Sequence, residues 1–209
     1  HMQKTIVATN REENAPDGNT PWRPSSGTEV TIAGDLTVTK GRFYRNNSSN
    51  SLVVTGDVDI AANGQVGTSA ASGSNTFGSL TIASGGTYLA TSGTTTITST
   101  SSNYSVNNAG TFTHNNGTVK IDFETPDYNA NSKIKLNQMY NLEVEMNRTT
   151  DMTLLEPESG TTLTALNNVT VKKGVLTKNS HTHTLDFKGL TVVGFGGGSL
   201  AAHIDASTS

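Results

Sequence analysis

From Thr28 onward, apolar and polar residues alternate with a period of two. Val30, Ile32, Leu36 and Val38 share one parity, and Gly34 sits between the two pairs. Successive side chains of a strand point to opposite faces, so this spacing predicts short, half-buried strands. A glycine between them lets the chain turn a corner without a side chain. The same slots next hold Leu52, Val54, Val58 and Ile60, and then Ser74, Thr76, Leu80 and Ile82. The first half of the third set is therefore expected to be polar, which short hydroxyl side chains tolerate by bonding to nearby backbone. No stretch with helical period and caps occurs, so the chain reads as all-β.

One phrase recurs within this pattern: Gly34-Asp35-Leu36-Thr37-Val38, Gly56-Asp57-Val58-Asp59-Ile60 and Gly78-Ser79-Leu80-Thr81-Ile82, each 22 residues after the last. Each copy is followed by another glycine and another apolar residue: Gly41 with Phe43, Gly64 with Val66, Gly86 with Tyr88. A unit of about 21–22 residues accommodates three short strands and three bends, enough for a coil that closes on itself. An antiparallel meander is the rival, because Lys40-Gly41 and Asn63-Gly64 could serve as hairpin turns. A meander accounts for alternation but not for spacing that repeats to the residue. The reading is a right-handed parallel β-helix, a single-stranded β-solenoid, over residues 28–209.

Other stretches are less regular. Residues 1–27 break the rhythm. Thr5 to Ala8 could be a short strand, and the polar stretch after it holds Pro16, Pro21, Pro24 and the sole tryptophan, Trp22. This segment reads as an irregular N-terminal cap, with Trp22 over the end of the core, or as an attachment arm. Stacks of strands need such ends because an open edge invites aggregation. Gly93 to Asn116 is a Thr/Ser/Asn tract that reads as two thin coils or a protruding loop. Val119, Ile121 and Phe123 face one way. Leu142 to Met146 is expected to be half-buried, with Glu143 and Glu145 outward. In the last third, Val169-Thr170-Val171 matches Leu190-Thr191-Val192, so the rhythm returns at nearly the same spacing.

Composition narrows the function classes. Apolar residues are 33% and charged residues 15% of 209, with a net charge of −3. A disordered chain this poor in apolar residues would normally carry a high net charge, so the small polar residues fit strands and tight turns instead. So small a charge leaves no footprint for nucleic acid or an anionic membrane, and no run is long enough to cross a bilayer. The absence of cysteine removes disulfides, thiolate chemistry and cysteine-bound zinc. His1-Met2 reads as an expression scar, behind which a native leader could have been lost.

The phrases Ala109-Gly-Thr-Phe-Thr-His-Asn-Asn-Gly-Thr-Val-Lys-Ile121, Tyr140-Asn-Leu-Glu-Val144 and Leu166-Asn-Asn-Val-Thr-Val-Lys-Lys-Gly-Val-Leu176 carry a further likeness. In them the chain resembles the parallel β-helix repeats of bacterial surface adhesins and of phage tail fibres and spikes. That resemblance implies an extracellular rod on a virion or bacterial surface, a homotrimer in phage examples. Such a rod binds cell-surface glycans or holds other surface proteins apart. It implies no cofactor.

Candidate chemistry is sparse. His181 and His183, two apart on one strand face, resemble the His-x-His metal motif of some trimeric phage fibres; the plainer reading is a polar ladder or an exposed bend. Asp122, Glu124 and Asp127 form the densest acidic cluster, and paired carboxylates are what glycoside hydrolysis needs. Alternating acids also make the solvated face of a strand, as Glu143 and Glu145 do. Gly194 to Gly198 lacks the helix a phosphate loop requires and reads as a turn. The tyrosines could stack on sugars or close the core. The expectation is a non-enzymatic structural or adhesive module, with a polysaccharide-degrading tailspike or lyase as the alternative.

Overall fold

The computed structural model describes residues 6–8, 29–43, 49–68, 71–100, 103–123, 131–146, 154–157, 160–177, 184–189, 191–193 and 203–205. Among these there is no helix, and 24 strands follow one another in chain order. β1 (Ile6–Ala8) precedes the first coil, which is β2 (Glu29–Ile32), β3 (Leu36–Val38) and β4 (Gly41–Phe43). The next coils are β5 (Ser51–Val54), β6 (Val58–Ile60) and β7 (Gly64–Val66), then β8 (Asn75–Phe77), β9 (Leu80–Ile82) and β10 (Thr87–Leu89). Above them lie β11 (Thr94–Ile97), β12 (Tyr104–Asn108) and β13 (Thr111–Thr113), then β14 (Thr118–Phe123), β15 (Asn131–Lys135) and β16 (Gln138–Met139). The upper end holds β17 (Asn141–Met146), β18 (Leu154–Pro157), β19 (Thr162–Ala165), β20 (Val169–Lys173), β21 (Val175–Thr177), β22 (Thr184–Phe187), β23 (Thr191–Val193) and β24 (His203–Asp205).

These strands form a parallel β-helix with three faces. The first face is an eight-stranded sheet running from β2 to β23, taking one strand from each coil; the second is a nine-stranded sheet from β1 to β24. The third is carried by two sheets, β4-β7-β10-β13 and β16-β19-β22. Leu36 pairs with Val58 and Val58 with Leu80, so the repeated phrase stacks like on like. The meander fails because Gly41 pairs with Gly64 in parallel register, placing both glycines at stacked corners instead of hairpin turns. β1 adds to the edge of β3, Ile6 opposite Leu36. Trp22 lies outside the described residues.

Glycine recurs at the first corner because backbone stacks directly on backbone there. The Gly56 N–H donates to the Gly34 carbonyl at 2.9 Å, and Gly78 donates to Gly56 at 2.7 Å. A Cβ on Gly56 would lie 2.7 Å from the Gly34 carbonyl carbon. The inward side chains form continuous apolar columns, Leu36, Val58, Leu80 and Val106 on the second face and Ile32, Val54, Phe77, Ile97 and Ile121 on the first, all buried. Each such side chain contributes about 1.5–3 kcal/mol of burial.

Three expectations need correction. The third coil spends one residue fewer on its first corner, Gly78-Ser79 where the second coil has Thr55-Gly56-Asp57. Its first strand is therefore displaced by one, and Asn75, not Ser74, sits on Leu52. A one-residue slip exchanges the two faces of a strand, so Asn75 and Phe77 are buried and Thr76 faces outward. Second, Gly93 to Asn116 is neither two coils nor a loop but a single coil, β11 to β13, with Thr95, Ile97, Ser105 and Val106 inside. Third, Val169 pairs with Thr191 instead of with Leu190, one position later than the matching phrases suggest. The coil length itself drifts. Asn75 meets Thr95, a shorter step than that from Leu36 to Val58, whereas Val106 meets Ile134, a longer one.

Candidate functional site

The densest chemistry on the described surface lies on the outer side of the first face, where β14, β17 and β20 run side by side. Inward positions there, Val119, Ile121 and Phe123 and then Leu142, Val144 and Met146, are buried. Alternation therefore sends Lys120, Asp122, Glu143, Glu145 and Lys172 outward. The register sets Lys120 opposite Glu143 and Asp122 opposite Glu145. Lys120 Nζ lies 2.6 Å from Asp122, 2.9 Å from Glu145 and 3.6 Å from Glu143. Lys172 lies 2.7 Å from Glu143 and 3.7 Å from Glu145.

Protonation follows this geometry. Burial alone would lower the proton affinity of the Lys120 ammonium, but hydrogen bonds to Asp122 and Glu145, with their charges, outweigh it and push Lys120 well above the usual lysine range. The hydrogen bond from Lys120 holds Glu145 below the usual carboxylate range against its partial burial. The hydrogen bond with Glu143 raises Lys172. The arrangement is a lattice of two lysines and three carboxylates that ties three coils together. General-acid chemistry asks for a carboxyl kept neutral in an apolar pocket, whereas here two lysines cross-link the carboxylates.

Of the acidic cluster singled out in the sequence, Asp122 is thus placed in the lattice, while Glu124 and Asp127 lie outside the described residues. So do His181, His183 and the Gly194–Gly198 run. Among the described residues, no group of three or more His, Asp or Glu side chains could hold a metal ion.

A second acidic feature, overlooked in the sequence despite lying inside its clearest repeat, is at the first corner. The Asp35 carboxylate accepts the Asp57 backbone N–H at 3.0 Å, one coil above. Asp59 is nearby on the second face, opposite Thr37 and Thr81. Burial, then the charges of Asp57 and Asp35, push the Asp59 carboxyl up, while a hydrogen bond to Thr81 pulls it partly back. The signal was the Gly-Asp pair repeated at Gly34-Asp35 and Gly56-Asp57: an aspartate beside a stacked glycine can bond to the N–H of the coil above.

The tyrosines divide by role. Tyr88 is in the core, packed edge-on to Phe77 at 5.9 Å and against Phe112 at 5.6 Å. Its hydroxyl accepts a hydrogen bond from Asn75 at 2.7 Å and bonds Thr95 at 2.9 Å. Tyr104 lies beneath the Lys133 ammonium, 5.9 Å from the ring centre. Tyr140 stacks with His114. Tyr44 and Tyr128 lie outside the described residues. Set against known proteins, the chain matches no family model, no curated protein and no solved structure. The class defined by its own architecture is that of a parallel β-solenoid.

Proposed function

We propose that this chain is a non-enzymatic structural or adhesive module, displayed on a phage virion or a bacterial cell surface, that mediates attachment or acts as a spacer. One observation carries the reading. Two parallel sheets of eight and nine strands extend the length of the stack, and such a body resists compression along its axis while presenting long polar flanks. Its partners would be cell-surface glycans or other virion or surface proteins, met by weak contacts repeated along the rod. Homotrimers are the assembly that the likeness to phage fibres suggests.

Sedimentation with small-angle scattering tests the shape and assembly. A trimeric rod favours a phage appendage, an extended monomer favours an adhesin segment, and a compact particle counts against both. A glycan array and a reducing-end assay test the chemistry. Binding without release of reducing ends is expected, in the native chain and in Asp122→Ala and Glu124→Ala alike. Release of reducing ends that either substitution abolishes would replace this reading with a polysaccharide-degrading one.

A further inference from the structure

Two faces of the solenoid keep their strands paired through its middle, the second with a register shift between Tyr104 and Val106, and the third does not. β12 pairs with β15 and β14 with β17, yet β13 ends one sheet and β16 begins another. The ring contact that spans this corner is His114 over Tyr140, with centres 5.7 Å apart and planes 24° from parallel. His114 is aimed by its own turn. Asn115 and Asn116 both take left-handed backbone angles, φ 45° and 60°, and the Asn116 N–H donates to His114 Nδ1 at 3.0 Å. Burial thins at the same place: Tyr88 in β10 is fully covered, whereas Phe112 above it is half-buried between exposed Thr111 and Thr113.

A ladder of backbone hydrogen bonds resists bending because every bond on the stretched side must lengthen together. A corner bridged by side-chain stacking yields first. We infer that the interruption is a hinge, at which the coils up to β13 and those from β14 onward swing apart on the third face. The first face acts as the pivot, and the His114–Tyr140 stack is the latch that limits the opening.

The chain has no cysteine, so spin-label pairs can be placed at will in the full-length protein. Arg42→Cys with Thr111→Cys spans three coil steps of unbroken sheet, from β4 to β13. Thr111→Cys with Thr184→Cys spans three steps across the break, from β13 to β22. Thr96→Cys with Thr170→Cys spans three steps on the pivot face, from β11 to β20. The expected result is a broader distance distribution for the second pair than for the other two, broadened further by Tyr140→Ala and restored by Tyr140→Phe. Equal widths for all three pairs would overturn the hinge. So would equal broadening of the second and third pairs, which would mean that the upper coils are loose throughout. Both comparisons are made with Tyr140 intact, so they stand even if Tyr140→Ala does not fold.

Discussion

The lower coils, β2 to β10, and the upper coils, β14 to β22, share one fold but are held differently. In the lower coils the second face repeats at an even step, Leu36 to Val58 to Leu80, and the corners stack glycine on glycine. Cohesion there comes from backbone laid on backbone. In the upper coils the step lengthens, as where Leu142 meets Val169, and cohesion is supplemented by the lattice of Lys120, Lys172 and their carboxylates. A solenoid can thus keep its coils aligned either by repeating its corner or by matching charges across its strands. The first method tolerates little substitution at the corner; the second tolerates insertions between strands.

The comparison should break most sharply in the lower coils. Leu80→Ala deletes the middle of an apolar column and is expected to cost about 3–4 kcal/mol in urea denaturation. Gly56→Ala should cost about 3 kcal/mol, because its Cβ would press on the Gly34 backbone. Gly160→Ala is the control for conformation alone: φ is +76° and nothing lies within 4 Å of the added atom, so about 1 kcal/mol is expected. Equal losses at Gly56 and Gly160 would show that crowding at the corner matters little.

The upper coils should respond less, and in a way that depends on salt and pH. Lys120→Met leaves Asp122, Glu143 and Glu145 adjacent without their shared ammonium and should cost about 1 kcal/mol at low ionic strength. The loss should shrink in about 1 M salt, where the Debye length is about 3 Å. Glu145 is held below its unfolded value, so its contribution is present above the ordinary glutamate range and is lost as pH falls through the folded value. An acid titration of stability should therefore differ between the native chain and Glu145→Gln.

The smallest effect is expected at Asp59, and with the opposite sign. Its carboxyl is raised in the fold, so the folded chain is favoured in acid, and that advantage is lost as pH rises from the ordinary aspartate value through the folded one. Asp59→Asn should add about 0.5 kcal/mol at neutral pH, little because solvent screens this partly exposed carboxylate. It should add nothing below the ordinary aspartate range. A neutral-pH loss on Asp59→Asn would show that the charge, not the shape, of Asp59 is needed.

Much of the fold was legible in residue order. Gly34, Gly56 and Gly78 had to recur, because no other residue lets the coils approach so closely, and the parity of Leu36, Val58 and Leu80 named the inward side. At Ser74 alternation held, but the corner after the strand was one residue shorter. Within Gly93 to Asn116 alternation itself failed, since neighbouring Ser105 and Val106 are both buried. The likeness of the phrases at Val169 and Leu190 did not reveal that Val169 rests on Thr191. For the candidate site, the outward acids at Glu143 and Glu145 were visible as strand alternation. Their sharing of Lys120 and Lys172 was not, since each partner lies a full coil away along the chain.

Residue order alone therefore determined that the chain is built of strands, which side is buried in the lower strands other than β8, and that the lower coils repeat. Only the tertiary structure decided how long each corner is, which strand rests on which, and which charges meet. The reason is that side-chain alternation is a local property of period two. Register depends on the path the backbone takes between strands, and that path is selected by packing against the coil below.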